Sequence, residues 1–426
     1  MQNFPGNKVF SKKSAASEVL KLVLAILSSS KDEFALPKQD AGGLGPLIQN
    51  LLFTISRHRA SFDFLLDKYS EGKIRPRLRR VLWWALAEMF YLDGLPAAVV
   101  VDTATGFVKV QYSRSEAGFV NALLRRLAAI AEGQNVPAEF LEAPQHVHLE
   151  LSADLFQHWR KIWPFETIKA WAELWQRPAD ILLRRCKTAF REVPRVLERL
   201  PVFPWAPEAA FYHFAGGEAV NLSELLSTPG EFYVQDPSTL LAPALLAVKP
   251  GEQVGDLCCA PGGKSLLLAE ALQQQGKLFC RDRSESRLQR VRENLAAYQN
   301  VEIAVGDAQK PDLPAQSLQA LLLDVPCSNT GVIRRRPDVR WTYNAQKLKE
   351  LLVLQSGILD NTAGLLCNGG RLVYSTCSIE PEENFVQIAR FLNQHPEFKL
   401  IREEQLFPDI WHDGAYAALL VRGDNV

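Results

Sequence analysis

Two cysteines stand directly after short apolar runs of the kind that form buried β-strands. Cys327 follows the run 320–323 and Asp324, and Cys377 follows the run 371–374. A thiolate is a nucleophile that can form a covalent intermediate with an electron-poor carbon. One cysteine in such a place is more often a packing residue, but two at corresponding places favour covalent catalysis.

A glycine-containing loop lies between a predicted strand, 253–257, and a predicted helix, 266–272. Glycines let the backbone turn tightly and approach a ligand, and a helix N-terminus offers unpaired N–H groups. The end of the loop resembles that of a phosphate-binding P-loop, which would require a glycine at position 258. A turn without a ligand is the other alternative, and we favour a cofactor site. Its predicted residues are Cys258, Cys259, Ala260, Pro261, Gly262, Gly263 and Lys264.

Three acids follow three successive predicted strands. Asp282 lies near the end of the strand 277–280, and Asp307 and Asp324 follow the next two strands. Open α/β sheets bind ligands at the carboxyl ends of their strands, and an acid about 20 residues after the glycine loop can bind a ribose diol. Each acid alone is more often a helix cap or a solvated turn. The three together favour a nucleoside-bearing cofactor.

Methylation at C5 of cytosine is a reaction that combines such a cofactor with a thiol. C5 is too weak a nucleophile to attack a sulfonium methyl group until a thiolate adds at C6 and moves electron density to C5. A second polar group must then help to expel the enzyme. Asp324 is placed to stabilise charge at the N3 edge of the base. Amino-group methyltransferases carry an Asn/Asp-Pro-Pro-aromatic corner here and need no cysteine.

The sequence pattern predicts that the elements that position these residues belong to a multidomain chain of three parts. Residues 1–135 show helical periodicity and predict an all-α domain, and residues 146–235 predict a small α/β connector. From residue 236 to 426, apolar runs alternate with helical stretches, which predicts a Rossmann-like domain with a parallel sheet.

The composition indicates the cellular location of the protein better than its function. The 48 basic and 48 acidic residues cancel, so net charge neither indicates nor excludes a nucleic-acid partner. The seven cysteines show no secreted disulfide framework. Leu20, Val23, Leu24 and Leu27 have the spacing of one buried helix face, which argues against a signal peptide. We therefore expect a soluble cytoplasmic protein with no membrane segment and no metal.

Several of these motifs resemble those of a known enzyme family. Residues 256–265 resemble the DxCAAPGGKT motif, 324–328 the DAPCS motif and 373–384 the VYxTCSxxPEEN motif of RNA cytosine-C5 methyltransferases. Residues 74–79, 94–99 and 118–126 resemble the NusB-type RNA-binding helical domain. The combination is similar to the Sun/RsmB (Fmu) type of 16S ribosomal RNA cytosine-C5 methyltransferase, over nearly the whole chain.

The resemblance implies a class I methyltransferase domain, S-adenosylmethionine as cofactor and a role for each site residue. Cys377 is then the nucleophile, Cys327 assists product release, and Asp282, Asp307 and Asp324 complete the cofactor site. DNA cytosine methyltransferases use the Pro-Cys cysteine as nucleophile, so the inverted assignment stays open. The implied substrate is 16S ribosomal RNA, free or in an assembling small subunit, and we expect a monomer.

Departures from the family pattern and a basic run complete the predictions. Arg281 and Arg283 flank Asp282 where apolar residues are usual, and residues 413–416 lack the paired phenylalanines of a DGFF motif.

The basic run after the Pro-Cys loop predicts phosphate contacts, with a solvated charged loop as the alternative. Its predicted RNA-binding residues are Arg334, Arg335, Arg336 and Arg340, with Trp341 as a stacking residue.

Two other functions remain open at this stage. A transfer RNA cytosine-C5 methyltransferase would need the same site, and a non-catalytic RNA-binding or antitermination-like factor would retain only a decayed one. The intact glycine loop, Asp324 and both cysteines favour an enzyme.

Overall fold

The computed structural model describes residues 12–29, 43–92, 94–132, 138–186, 189, 191–215, 222–228 and 230–423. The chain forms two compact units. A helical unit contains residues 1–176 together with 336–342, and a sheet unit contains 177–335 together with 343–426. In the described part of the chain, no helix is long and apolar enough to cross a membrane.

The helical unit consists of helices of 4 to 19 residues. Its elements are α1 (Lys12–Ser28), α2 (Gly45–Arg57), α3 (Arg59–Tyr69), α4 (Pro76–Tyr91), α5 (Ala97–Gln111), α6 (Arg114–Glu132), a 3-10 helix (Ala138–Glu142), α7 (Gln145–His148), α8 (Ala153–Trp159), α9 (Phe165–Trp175) and α14 (Val339–Thr342). The all-α prediction for the N-terminal part is confirmed.

The core of the helical unit follows the 3.6-residue period of its helices. Leu20, Val23 and Leu24 are buried on one face of α1, and Leu27 packs against the same core, as the apolar spacing predicted. Helix α4 contributes Leu82, Trp84 and Leu86 to this core. Burial of apolar side chains stabilises the unit by about 25 cal/mol for each Å² removed from water.

Residues after the predicted boundary at 135 also belong to the helical unit. The Glu150 carboxylate accepts hydrogen bonds from the backbone N–H groups of Ala60 at 2.8 Å and Ser61 at 3.3 Å. These N–H groups lie in the first turn of α3, where no intrahelical acceptor is available. Burial raises the pKa of Glu150 to about 7. The two units therefore divide the predicted connector, 146–235, near residue 176.

The sheet unit contains eleven strands in the described residues and helices around them. The strands are β1 (Ile181–Arg185), β2 (Glu198–Arg199), β3 (Phe211–Phe214), β4 (Phe232–Val234), β5 (Gln253–Asp256), β6 (Lys277–Asp282), β7 (Val301–Val305), β8 (Leu318–Asp324), β9 (Leu366–Thr376), β10 (Phe398–Leu406) and β11 (Ala415–Arg422). The α-helices are α10 (Leu222–Leu226), α11 (Leu241–Leu246), α12 (Gly263–Leu272), α13 (Glu285–Leu295), α15 (Ala345–Thr362) and α16 (Phe385–Gln394). Short 3-10 helices are Pro237–Leu240, Thr330–Val332, Ala363–Leu365 and Pro381–Glu383.

The large sheet has the strand order β10-β11-β9-β8-β5-β6-β7. Strands β5 to β9 pair in parallel, as predicted, whereas β10 and β11 are antiparallel to their neighbours. The predicted parallel sheet is therefore present as β5 to β9, and β10 and β11 extend it to a mixed sheet. Only a short loop joins β10 to β11, and a parallel pair would need a longer crossover connection.

Alternate residues of the central strands face two separate cores. Ala320 and Leu322 of β8 pack in the cluster that includes α12 and α13. Leu321 and Leu323 pack in the cluster that includes α15 and α16. Because successive side chains of a strand point to opposite faces, the apolar run of β8 fills both cores. A smaller antiparallel sheet, of order β2-β3-β1-β4, precedes the large one in the chain.

Candidate active site

The glycine loop leaves β5 and leads directly into α12. Gly262 has a φ of +102°, and a Cβ there would lie 3.2 Å from the Val291 Cα, so this position requires glycine. The Gly262 N–H donates to the Cys259 carbonyl at 2.8 Å, and the Cys259 N–H donates to the Arg281 carbonyl at 3.0 Å. The loop is therefore held tightly at the end of β6.

A cavity of about 210 Å³ lies between this loop and the end of β8. Its lining contains six of the seven predicted loop residues, Gly262 being the exception, and also Asp324. The lining residues are Tyr233, Val234, Gln235, Asp236, Thr239, Asp256, Cys258, Cys259, Ala260, Pro261, Gly263, Lys264 and Asp324. Strand ends of the parallel sheet thus meet where a ligand is expected.

Asp282 and Asp307 do not line this cavity but lie at the ends of β6 and β7. One Asp282 oxygen accepts from the Ala260 N–H at 3.3 Å, and the other accepts from the Ser284 N–H at 2.9 Å. Asp307 accepts from the Gln309 N–H at 3.0 Å. The structure thus connects Asp282 to the glycine loop and places Asp307 just after the neighbouring strand, β7.

Asp256 is a site residue that the sequence reasoning missed. It is 1% exposed at the end of β5, and one carboxylate oxygen accepts from the Ser265 hydroxyl at 2.6 Å. The other oxygen, Oδ1, is buried without a hydrogen-bond partner in the described part of the chain. Burial raises the pKa of Asp256 to about 7. A cationic ligand group would satisfy this oxygen. In the sequence, the signal that could have identified Asp256 as a site residue was the position of an acid at a strand end.

Asp324 is held by two partners. Lys264 Nζ lies 2.7 Å from Asp324 Oδ2, and the Ser375 hydroxyl donates to Oδ1 at 2.7 Å. Burial alone would lower the pKa of Lys264, but the Asp324 carboxylate outweighs it, so the pKa is raised. Lys264 therefore remains a cation beside the crevice.

The two cysteines meet although they follow different strands. Cys327 Sγ and Cys377 Sγ are 3.3 Å apart, and Cys377 Sγ donates to Asn329 Oδ1 at 3.0 Å. Cys327 is only 8% exposed, whereas Cys377 is partly exposed. The hydrogen bond with Cys377, together with burial, raises the pKa of the Cys327 thiol. The environment of Cys327 thus favours its protonated form.

Arg281, Ala415 and Tyr416, which depart from the family pattern, are not among the residues that line the crevice. Arg281 is buried and donates to Asp312 and Glu302, so its guanidinium joins neighbouring elements of the sheet unit. Ala415 and Tyr416 lie in β11, where they belong to the cores on the two faces of the sheet. Neither of these two residues is placed to stack on a ligand at the glycine loop.

The arginine run after Cys327 is largely engaged within the protein. Arg334 donates to Asp180 and Arg335 to Asp236 in the sheet unit, and Arg336 donates to Asp338 in the helical unit. Arg340 is 0% exposed, so its burial contradicts the prediction that it binds RNA.

Backbone carbonyls in the helical unit bind Arg340 instead. Its guanidinium donates to Arg57 and Glu150 at 3.3 Å and to Trp175 at 2.7 Å. The neighbouring Trp341 donates to the Ser56 carbonyl at 2.7 Å, so it also packs within this unit. Burial of a charged group is costly unless its donors are satisfied, and these carbonyls satisfy the two terminal nitrogens, whereas Nε is buried without a hydrogen-bond partner in the described residues.

The fold and the crevice together define a Rossmann-like methyltransferase with a helical N-terminal unit. A family model described as 16S rRNA methyltransferase RsmB/F matches residues 243–417, and the NusB family model matches residues 10–129. The chain belongs to the RsmB/F family of 16S rRNA methyltransferases, which shows its cofactor to be S-adenosylmethionine.

Similar proteins cover most of the chain. The probable ribosomal RNA small subunit methyltransferase B of Synechocystis sp. is 32% identical, with 82% of this chain and 81% of that protein covered. The ribosomal RNA small subunit methyltransferase B of Erwinia tasmaniensis is 31% identical, with 88% and 90% covered. A crystal structure of the protein PH0851 has a TM-score of 0.77 at 22% identity and covers 98% of this chain and 100% of its own. That structure supports the fold.

Proposed function

We propose that this protein methylates C5 of a cytosine in 16S ribosomal RNA, with Cys377 as nucleophile and Cys327 as the group that assists product release. The observation that carries the proposal is the 3.3 Å separation of the two sulfur atoms at neighbouring strand ends. Asp324 and Lys264 line the cavity at the glycine loop, whereas neither Cys327 nor Cys377 is among its lining residues. The names of the relatives support a ribosomal RNA substrate.

The reaction uses the two thiols in sequence. The Cys377 thiolate forms a bond to C6, and the electron pair of the C5–C6 double bond moves toward C5. S-adenosylmethionine, when bound, supplies the methyl group. Cys327, which has first lost its own proton to water, accepts the C5 proton as a thiolate. The electron pair of the C5–H bond re-forms the C5–C6 double bond, the bond from C6 to Cys377 breaks, and its electron pair returns to the Cys377 sulfur. A sulfur with a raised pKa is a strong base once it is deprotonated, which suits Cys327.

The different environments of the thiols support this assignment over the inverted one. Cys377 is the more exposed sulfur, so a base can reach it more easily. The charge of Lys264 interacts with Cys377. Cys327, in contrast, is buried and its pKa is raised.

The cofactor is held, in this proposal, by the glycine loop and the strand-end acids. The residues are Cys258 to Lys264, with Asp282 on the ribose and Asp307 and Asp324 nearby. Asp256 is added because its buried Oδ1 fits the ammonium group of the methionine part. Lys264 orients Asp324 through their ion pair.

The helical unit offers a cleft for RNA at the loop before α4 and the start of α6. The cleft has a volume of about 530 Å³. Its lining includes Phe119, which is 36% exposed, and the exposed Lys73 and Arg75, of which Arg75 also pairs with Glu116 at 2.9 Å. An exposed aromatic ring can stack on a base while cations contact phosphates. We therefore propose that this cleft binds part of the RNA substrate.

Binding measurements over a range of salt concentrations test this cleft. Phe119→Ala should weaken RNA binding by about tenfold, since stacking contributes roughly 1–3 kcal/mol per base. Lys73→Ala should reduce the slope of the logarithm of the RNA affinity against the logarithm of the salt concentration by about one. Lys21→Ala, an exposed lysine on α1, is the control. Unchanged binding by both cleft variants would contradict the proposal.

Bisulfite sequencing of total RNA from cells with and without the gene tests the reaction. We expect one 16S cytosine to be protected from conversion only when the gene is present, and Cys377→Ala to abolish this protection. A protected position in transfer RNA would indicate the alternative substrate. No change in either RNA, from a protein that still folds, would support the non-catalytic alternative.

A further inference from the structure

The side chain of Asn384 holds the residues on both sides of Cys377. Asn384 is 0% exposed and follows the 3-10 helix Pro381–Glu383. Its Oδ1 accepts from the Thr376 hydroxyl at 2.7 Å, and its Nδ2 donates to the Ser378 carbonyl at 3.0 Å. One amide group thus holds the Thr376 side chain and the Ser378 backbone, the residues on either side of the nucleophilic sulfur.

The preceding residue, Glu383, does the same for Cys327. Its Oε1 accepts from the Ser328 N–H at 2.8 Å, and its Oε2 accepts from the Ser328 hydroxyl at 2.5 Å. Gln355 donates from one nitrogen to Glu383 Oε1 and to the Pro326 carbonyl, both at 2.9 Å. The residues on both sides of Cys327 are therefore bound to Glu383 or to its direct partner.

The Glu383 backbone is also anchored, because the buried Tyr374 hydroxyl donates to its carbonyl at 2.7 Å. Tyr374 lies on β9, the strand that leads to Cys377. Two consecutive buried residues thus hold two loops that are 50 positions apart in the chain. A buried carboxylate is costly, so its hydrogen bonds to Ser328 and Gln355 are needed to retain it.

We propose that Glu383 and Asn384 are paired positioning residues, Glu383 setting the Cys327 loop for product release and Asn384 setting the Cys377 loop for attack. The proposal rests on the proposed function for the meaning of attack and release. Burial raises the pKa of Glu383, and the nearby Glu383 charge contributes to the raised pKa of Cys327. The role proposed for Glu383 is nevertheless positional, because its hydrogen bonds with Ser328 and Gln355 fix the loop.

Single-turnover assays with radiolabelled cofactor and substrate RNA separate the two roles. Glu383→Ala should slow product release by about tenfold, with accumulation of covalent protein–RNA adduct, while the first methyl transfer changes by less than about twofold. Asn384→Ala should slow methyl transfer by about tenfold without adduct accumulation. Both effects are expected because Glu383 holds the Cys327 loop through Ser328 and Gln355 and reaches the Cys377 loop only through the Ser378 hydroxyl, whereas Asn384 holds the Cys377 loop alone.

Conservative variants distinguish positioning from general damage. Glu383→Gln keeps an oxygen that accepts from the Ser328 N–H and a nitrogen that donates to the Ser328 hydroxyl, so it should restore most of the release rate. Glu383→Asp cannot span the same distance and should accumulate adduct even if Glu383→Ala does not fold. Glu382→Gln makes the same chemical change one position earlier and should behave as wild type.

A second measurement does not depend on methylation. Diamide oxidises two thiols to a disulfide, accepting their two electrons and two protons, and peptide mass spectrometry quantifies the Cys327–Cys377 bond. Wild type, Glu383→Gln and Glu382→Gln should form it at similar rates, and Glu383→Ala, Glu383→Asp and Asn384→Ala at least about fivefold more slowly.

The two measurements separate failure of this proposal from failure of the proposed function. Wild-type disulfide rates in folded Glu383→Asp and Asn384→Ala, or release and attack affected equally in both, would overturn the positioning roles. A wild-type protein that makes no 5-methylcytosine would overturn the proposed function, while the disulfide rates would still decide whether these residues set the thiol separation.

Discussion

Cys327 Sγ lies 3.3 Å from Cys377 Sγ, although 50 positions separate the two residues in the chain. The sheet explains this meeting. Strands β8 and β9 are parallel neighbours, and Asp324 pairs in register with Ser375. Each cysteine follows its strand by a short and similar number of residues, so both thiols reach the same edge of the sheet.

Substitution of each cysteine should separate attack from release. Cys327→Ala retains the Cys377 nucleophile and should accumulate protein bound covalently to RNA, whereas Cys377→Ala should form no adduct. A denaturing gel, read for a slow-migrating, nuclease-sensitive band, measures the difference. Cys367→Ala, at the opposite end of β9 from Cys377, is a control.

The opposite gel pattern would exchange the two roles. A band with Cys377→Ala and none with Cys327→Ala would make Cys327 the nucleophile. Wild-type activity of both variants without a band would remove the thiols from the mechanism.

Asp282→Ala should weaken cofactor binding. Loss of hydrogen bonds from a ribose to a charged acceptor costs on the order of 1.5 to 3 kcal/mol, or roughly ten- to a hundredfold in affinity. Asp282 also accepts from the Ala260 N–H, so part of the loss would come from a less ordered loop. Calorimetric titration provides the measurement, with Asp360→Ala on α15 as the control. Equal affinity of Asp282→Ala and wild type would exclude Asp282 from the ribose site.

Lys264→Met should slow the step in which Cys377 attacks. The substitution removes the ion pair with Asp324 and the cation whose charge interacts with Cys377. We expect a decrease of about ten- to a hundredfold in the single-turnover rate, since a hydrogen bond between charged groups contributes about 1.5–3 kcal/mol. Lys277→Met, which removes an ion pair with Glu302 elsewhere, is the matched control. A similar rate in both variants would argue against this role.

The sequence predicted the features that depend on local pattern. The glycine loop, the strands and the positions of Cys327 and Cys377 follow from apolar runs and turn residues, and the structure has these elements at nearly the same residues. Gly262 was recognisable because a tight loop between a strand and a helix requires such a residue. The residue-level roles in catalysis stay predictions.

Long-range contacts could not be read from local pattern. Arg340 stands in a basic run typical of RNA contacts, but carbonyls from three distant segments surround it. Glu383 belongs to a recognisable motif, but its binding of Ser328 depends on how two loops meet. The division of residues 146–235 likewise depends on Glu150 reaching the first turn of α3.

Arg340→Met should destabilise the helical unit. The substitution keeps most of the side-chain volume but leaves the carbonyls of Arg57, Glu150 and Trp175 without this donor. Unsatisfied buried groups cost about 1–3 kcal/mol each, and we expect a total of about 3 kcal/mol after relaxation. Urea unfolding followed by tryptophan fluorescence measures it, with the exposed Arg125→Met as control. Equal unfolding midpoints would show that Arg340 contributes little.

Glu88→Gln should change how the stability of the helical unit depends on pH. Glu88 is 4% exposed on α4, and burial raises its pKa from 4.5 to about 7. The folded protein therefore binds this proton more tightly than the unfolded chain, so the stability that the proton provides is present below pH 4.5 and is lost as the pH rises to about 7. A pKa shift of this size corresponds to about 3 kcal/mol of the free energy of unfolding.

Relative to wild type, Glu88→Gln should gain up to about 3 kcal/mol in the free energy of unfolding between pH 4.5 and pH 8, measured by urea unfolding across that range. The exposed Glu18→Gln should follow the wild-type profile, and Glu150, whose pKa is also raised to about 7, contributes equally to all three proteins. A constant difference between Glu88→Gln and wild type over this range would show that Glu88 does not change its protonation there.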